Sequence, residues 1–96
     1  MTYRFLSPAQ QDLAEAIECY DKASAGLGLE FLDEIERTVS RILLNPEAWT
    51  PVGEHHRRCR ARRFPYSLLY TIERDVVIIT AVMDLRRNPE TWKKRL

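Results

Sequence analysis

Arg57-Arg58-Cys59-Arg60-Ala61-Arg62-Arg63-Phe64 decides the architecture, because its residues sort by parity. In an extended chain successive side chains point to opposite faces. Cys59 and Ala61 then share one face and Arg58, Arg60 and Arg62 the other. An apolar face set against a charged one describes a strand lying on a core. Three outward guanidiniums about 7 Å apart along that strand form a ridge of positive charge. Arg63 has the inward parity just before Phe64-Pro65, which marks a bend, so it is expected against a helix carboxylate in a structural role. Beyond the bend, Tyr66–Glu73 reads as a second strand, Arg74-Asp75 as a turn of hairpin length, and Val76–Leu85 as a third strand. From Val76 to Val82 both parities are apolar apart from Thr80, which predicts a central strand covered on both faces.

Something must cover that sheet, and the N-terminal half supplies it. Thr2–Leu6 reads as a short strand with Tyr3 and Phe5 on one face. Ser7-Pro8-Ala9-Gln10 is a helix start, with Ser7 as the expected cap and Pro8 in the first turn. Ala9, Leu13, Ile17 and Tyr20 follow at helical spacing, with Ala16 and Cys19 beside them. Gly26 and Gly28 interrupt the pattern. A second amphipathic helix then runs from Gly28 to Leu44 through Phe31, Leu32, Ile35, Val39, Ile42 and Leu43, and Asn45-Pro46 stops it. A loop through Trp49, Pro51 and Gly53 leads to the Arg-rich strand, and Asn88-Pro89 opens a short C-terminal helix. The fold class is α+β, one domain over residues 1–96. It consists of an N-terminal strand, an antiparallel helical hairpin packed on a twisted antiparallel sheet, and a short C-terminal helix.

Charge divides the chain in two. Residues 1–54 carry ten acidic side chains and four basic ones, whereas residues 55–96 carry eleven basic and four acidic. Arg dominates the second half, and its planar fork suits bidentate pairing with phosphate or carboxylate. An anionic partner is expected there: nucleic acid, an acidic protein, or both. The apolar fraction of 45% suffices for one core. The apolar runs Val76–Ile79 and Ala81–Met83 are too short to span a bilayer, and Met1–Leu6 has no signal-peptide character. Cys19 and Cys59 both fall at core-facing positions, which suits reduced, buried thiols and a cytoplasmic location. The polar face of the first helix is acidic, the wrong sign for a membrane surface.

The ending Leu44-Asn45-Pro46-Glu47-Ala48-Trp49 of the hairpin, the stretch Arg62-Arg63-Phe64-Pro65-Tyr66-Ser67-Leu68-Leu69-Tyr70, and the ending Arg86-Arg87-Asn88-Pro89-Glu90-Thr91-Trp92 occur in this order. In that arrangement the chain resembles the RelE/ParE superfamily of type II toxin–antitoxin toxins, its ParE-like branch above all. The resemblance implies a growth-inhibiting toxin that binds DNA gyrase engaged with DNA and has no catalysis or cofactor of its own. It also implies a cognate antitoxin whose acidic and apolar segment wraps the sheet in a hetero-oligomer, as in plasmid stabilization systems. Arg58, Arg60, Arg62, Arg86, Arg87, Trp92, Lys93, Lys94 and Arg95 are the expected target- and antitoxin-binding residues.

The superfamily's other branch implies an alternative, a ribosome-dependent mRNA endonuclease. That chemistry needs a base for the 2′-hydroxyl, an acid for the leaving oxygen and cations on the phosphate. Here only His55 or His56 could carry the proton, with Arg60, Arg62 and Arg86 around the phosphate. Ribonuclease members often carry a Tyr or His near the C-terminus, where this chain has Trp92. A degenerate toxin that only binds antitoxin is the third reading. His55-His56-x-x-Cys59 lacks a fourth ligand, so no metal is expected. Trp49 and Trp92 read either as core edges or as walls of an antitoxin groove.

Overall fold

The computed structural model describes residues 1–96. Its elements are β1 (Thr2–Phe5), α1 (Ser7–Ala23), α2 (Leu27–Leu44), β2 (Thr50–Val52), β3 (His56–Arg60), β4 (Tyr66–Glu73), β5 (Val76–Asp84) and α3 (Glu90–Lys93). The five strands form one sheet in the order β1-β5-β4-β3-β2. All neighbours are antiparallel except β1, which runs parallel to β5. The α+β class and the hairpin-on-sheet arrangement therefore hold, with one parallel pair at the edge.

Phe31, Ile35, Val39 and Ile42 recur every three or four residues of α2 and face the sheet, while α1 contributes Ala9 and Ala16 with Leu13, Ile17 and Tyr20. From the sheet they meet Cys59, Leu68, Tyr70, Val77, Ile79 and Val82. At one end Phe31 stands among Tyr20, Phe64 and Tyr66, with ring centroids 4.8–5.2 Å away. The hairpin closes tightly because Gly28 has no side chain. Its N–H donates to the Asp21 carboxylate at 2.7 Å, and a Cβ there would lie 2.6 Å from the Ile17 carbonyl oxygen.

Several expectations change. The loop through Pro51 contains β2, a three-residue edge strand paired with β3. Ser7 is not a cap: it is the first residue of α1, Leu6 holds the cap position without a side-chain bond, and Gln10 Nε2 donates back to the Phe5 carbonyl. Cys19 is exposed rather than core-facing, since the buried stripe of α1 passes one step around the helix; Cys59 is buried as expected. The first Arg-rich strand ends at Arg60, not Phe64. The Arg62 N–H instead donates to the buried carboxylate of Glu34 at 2.6 Å, which turns the chain out of the sheet. Arg63 does meet a helix carboxylate, Glu30 at 2.7 Å, but is exposed and sits at φ 71°.

The double apolar parity of β5 has a specific cause. In the pairing with β4, Leu69 faces Ala81 and Tyr70 faces Ile79, which leaves Thr80 as an extra, bulged residue. Val77 and Ile79 point to the helices before the bulge and Val82 after it. Ala81 and Met83 consequently turn to the outer face, where they pack with Leu69 against Val52 and Trp92. The turn between β4 and β5 is Arg74-Asp75, both at positive φ (49° and 65°), the backbone a two-residue hairpin requires.

Candidate functional site: the outer face of the sheet

Directly opposed residues of antiparallel strands share a face. Arg58 lies opposite Leu69 and Thr50, and Arg60 opposite Ser67, so both guanidiniums stand on the outer face beside the apolar strip of Leu69, Ala81 and Met83. Arg58 and Arg60 are exposed, and neither has a hydrogen-bonding or ionic partner in the chain. Their neighbours are differently committed. Arg57 donates to the Trp49 carbonyl at 2.8 Å, Arg63 pairs with Glu30, and Arg41 bridges the Arg60 carbonyl, Thr38 and Glu34. Arg62, expected as the third member of the ridge, lies in the bend beyond the strand. It is exposed and its side chain is also free.

The second cluster sits elsewhere. Asp84, at the end of β5, accepts from Arg86 through Nε at 2.9 Å and through NH2 at 3.0 Å, and Arg87 approaches it at 3.7 Å. Burial alone would raise this carboxyl, but the Arg86 hydrogen bonds and charge outweigh it and hold the group below the ordinary carboxylate range. Arg86 also stacks over the ring of Tyr66, 5.8 Å from its centroid, on the helix-facing side of the sheet. Arg60 and Arg86 are therefore on opposite faces. His55 is 82% exposed in the turn before β3. His56 pairs with Val52. Its imidazole is kept below its ordinary pKa by burial and by His55, hence neutral at neutral pH. Four strand residues, about 13 Å, separate His56 from Arg60. The proposed proton carriers and phosphate ligands do not converge, and His55, His56 and Cys59 do not face one point either.

The C-terminal segment lies across the outer face. Trp92 covers Leu69, Ala81 and Met83, while Lys93 pairs with Glu90 at 3.4 Å and Lys94 is exposed without a partner. Asn88, just before α3, accepts from the Glu90 N–H at 3.0 Å. Arg95 reaches around the sheet edge to pair with Asp12 of α1. Trp49, by contrast, packs against the main core beneath Arg41, 5.9 Å from the guanidinium. Asp12, Glu34 and Asp84 position the basic residues, and none is visible as a site residue in the sequence. Only Asp84-x-Arg86 carries a local signal, two residues apart at a strand end.

Two tyrosines on the helix-facing side make a pH prediction. Burial, with Asp84 nearby, pushes Tyr66 up to about 12; burial likewise pushes Tyr70, which donates to the Pro46 carbonyl, up to about 12. A folded-state pKa above the ordinary value near 10 stabilises the protein below pH 10, and that stabilisation is lost as pH rises toward 12. The loss is at most about 3 kcal/mol per tyrosine. Urea unfolding at pH 8, 10 and 11 is expected to show this decline, with a shallower one in Tyr70→Phe; identical slopes would count against it.

No helix is long and apolar enough to cross a membrane. No curated protein matches the sequence. A solved structure described as the chromosomal ParDE TA system from P. aeruginosa contains a chain of the same fold. It is 18% identical, with a TM-score of 0.78 over 88% of this chain and 96% of that one. Residues 3–89 match the family described as the ParE toxin of type II toxin-antitoxin system, parDE. On that match the chain belongs to the ParE toxin family, whose members are paired with an antitoxin.

Proposed function

We propose that this toxin acts by binding DNA gyrase through the outer face of its sheet, and that its antitoxin neutralises it by occupying or reshaping the same positive surface. The carrying observation is the pair of unpartnered guanidiniums, Arg58 and Arg60, beside an apolar strip roofed by Trp92. Leu69, Ala81 and Met83 are themselves buried, so the anchor this face offers a partner is the half-buried Trp92, with the free guanidiniums as charge at its rim. Free cations on an exposed strand also favour an anionic surface, whether DNA held by the enzyme or carboxylates of the antitoxin. Binding is supported over RNA cleavage by the separation of His55 and His56 from Arg60, and of Arg60 from Arg86.

The test is induced expression without antitoxin, with growth, DNA-damage response and message integrity followed together. Arrest with a damage response and intact messages is expected, together with inhibition of supercoiling by purified gyrase. Arrest with cleavage of translated messages would overturn the proposal in favour of the endonuclease. Absence of arrest would leave a protein that only binds antitoxin.

A further inference from the structure

β2 begins only opposite Arg58, where it pairs through Thr50, so beyond that point the free edge of β3 has no neighbouring strand. The Ala61 N–H still donates inward, to the Tyr66 carbonyl of β4 at 2.8 Å. The peptide groups on either side of Ala61 therefore face the open edge, the Arg60 carbonyl as an acceptor and the Arg62 N–H as a donor. Side chains of α2 take both. Arg41 donates to the Arg60 carbonyl at 3.2 Å, and the Glu34 carboxylate accepts from the Arg62 N–H at 2.6 Å. Glu34, Thr38 and Arg41 recur on one side of the helix. Thr38 accepts from Arg41 at 3.0 Å and donates to the Glu34 carbonyl at 2.8 Å, which holds the guanidinium in place. Glu34 is the only buried charged side chain, 6% exposed.

We infer that Glu34 is a positioning residue for the inhibitory surface, a role that rests on the gyrase-binding reading. With Arg41 it fixes the peptides around Ala61, so that the guanidiniums of Arg60 and Arg62 meet one partner together. A buried ion pair is a poor source of stability, because desolvation offsets its attraction. Glu34 contributes direction instead. Holding the Arg60 carbonyl and the Arg62 N–H sets the backbone from which both free side chains leave, immediately before Arg63, whose φ of 71° marks the bend toward β4. Without the carboxylate, the chain keeps the Ala61–Tyr66 bond but loses its hold on Arg62. Binding must then order the Arg62 backbone and side chain itself, which weakens it about tenfold.

Inhibition of supercoiling by purified gyrase, titrated at a temperature where circular dichroism shows every variant folded, separates geometry from stability. Glu34→Ala removes the acceptor, and its half-inhibitory concentration is expected to rise about tenfold. Glu34→Gln gives up the ion pair with Arg41 but keeps a carbonyl oxygen for the Arg62 N–H, and is expected to inhibit as the parent does. Val77→Ala, a buried truncation two strands away from β3, is also expected to inhibit like the parent. Amide hydrogen exchange of Arg62 reads the geometry without gyrase, and is expected to be about tenfold faster in Glu34→Ala than in Glu34→Gln. Equal inhibition by Glu34→Ala and the parent, or equal weakening of Glu34→Ala and Glu34→Gln, would overturn the inference and leave the gyrase-binding reading standing. So would slow Arg62 exchange in Glu34→Ala. A parent toxin that fails to inhibit gyrase would remove that reading and this role with it.

Discussion

Arg58→Glu combined with Arg60→Glu is expected to abolish toxicity while leaving the fold intact. Both guanidiniums are exposed, and neither bonds to anything within the chain. Reversing them removes no native hydrogen bond or ion pair, and surface changes of that kind shift stability by about 0.5 kcal/mol or less. Binding responds differently. A charge-assisted hydrogen bond contributes about 1.5–3 kcal/mol, so losing two and adding repulsion costs affinity at least on the order of 100-fold. Gyrase inhibition by the purified variant, measured beside its thermal unfolding, checks both halves of the expectation. Arg63→Glu is the instructive contrast, since it breaks an ion pair with Glu30 and lies away from the outer strip. Undiminished inhibition by the double variant would move the functional surface to Arg86 and Arg87 at the end of β5.

The face that this variant tests was legible from parity alone, because Arg58 and Arg60 flank the buried Cys59 in an ordinary strand. Both long helices and the β4–β5 hairpin were legible for the same reason: period 3.6 or 2 sustained over many residues. The features that escaped depend on partners distant in sequence. Arg62 leaves the sheet because Glu34, twenty-eight residues earlier, takes its N–H. β2 is three residues long and contains Pro51, so no local pattern distinguishes it from a loop; only pairing with His56–Arg58 makes it a strand. Thr80 was the one polar residue in the central run, and it marks the bulge that reverses parity. Asp12 looked like one more water-facing acid of α1, yet its partner is eighty-three residues away. Arg86 was expected among the binding residues, and the carboxylate that commits it stands two positions before it.

Phe31→Ala carries the largest expected effect on the fold itself. Phe31 is fully buried, and the rings of Tyr20, Phe64 and Tyr66 surround it. These neighbours belong to α1, to the bend after β3 and to β4, so a single side chain ties both helices to the sheet. Truncation leaves a cavity lined by rigid rings that cannot collapse into it, at a cost of about 3–5 kcal/mol. In a domain of this size that lowers the melting temperature by roughly 15–30 °C, a large part of a total stability of about 5–15 kcal/mol. Phe31→Leu keeps the site apolar and partly filled, and is expected to recover more than half of the loss. The bend is the functional link in this argument, because Phe64 packs on Phe31 while Arg62 and Arg63 flank it in sequence. Loosening the ring cluster therefore frees the segment that ends β3 just after Arg60. Toxicity is expected to fall with stability on warming and to persist at low temperature, where the variant is folded. A melting temperature within a few degrees of the parent would show that the ring cluster is not what joins the hairpin to the sheet.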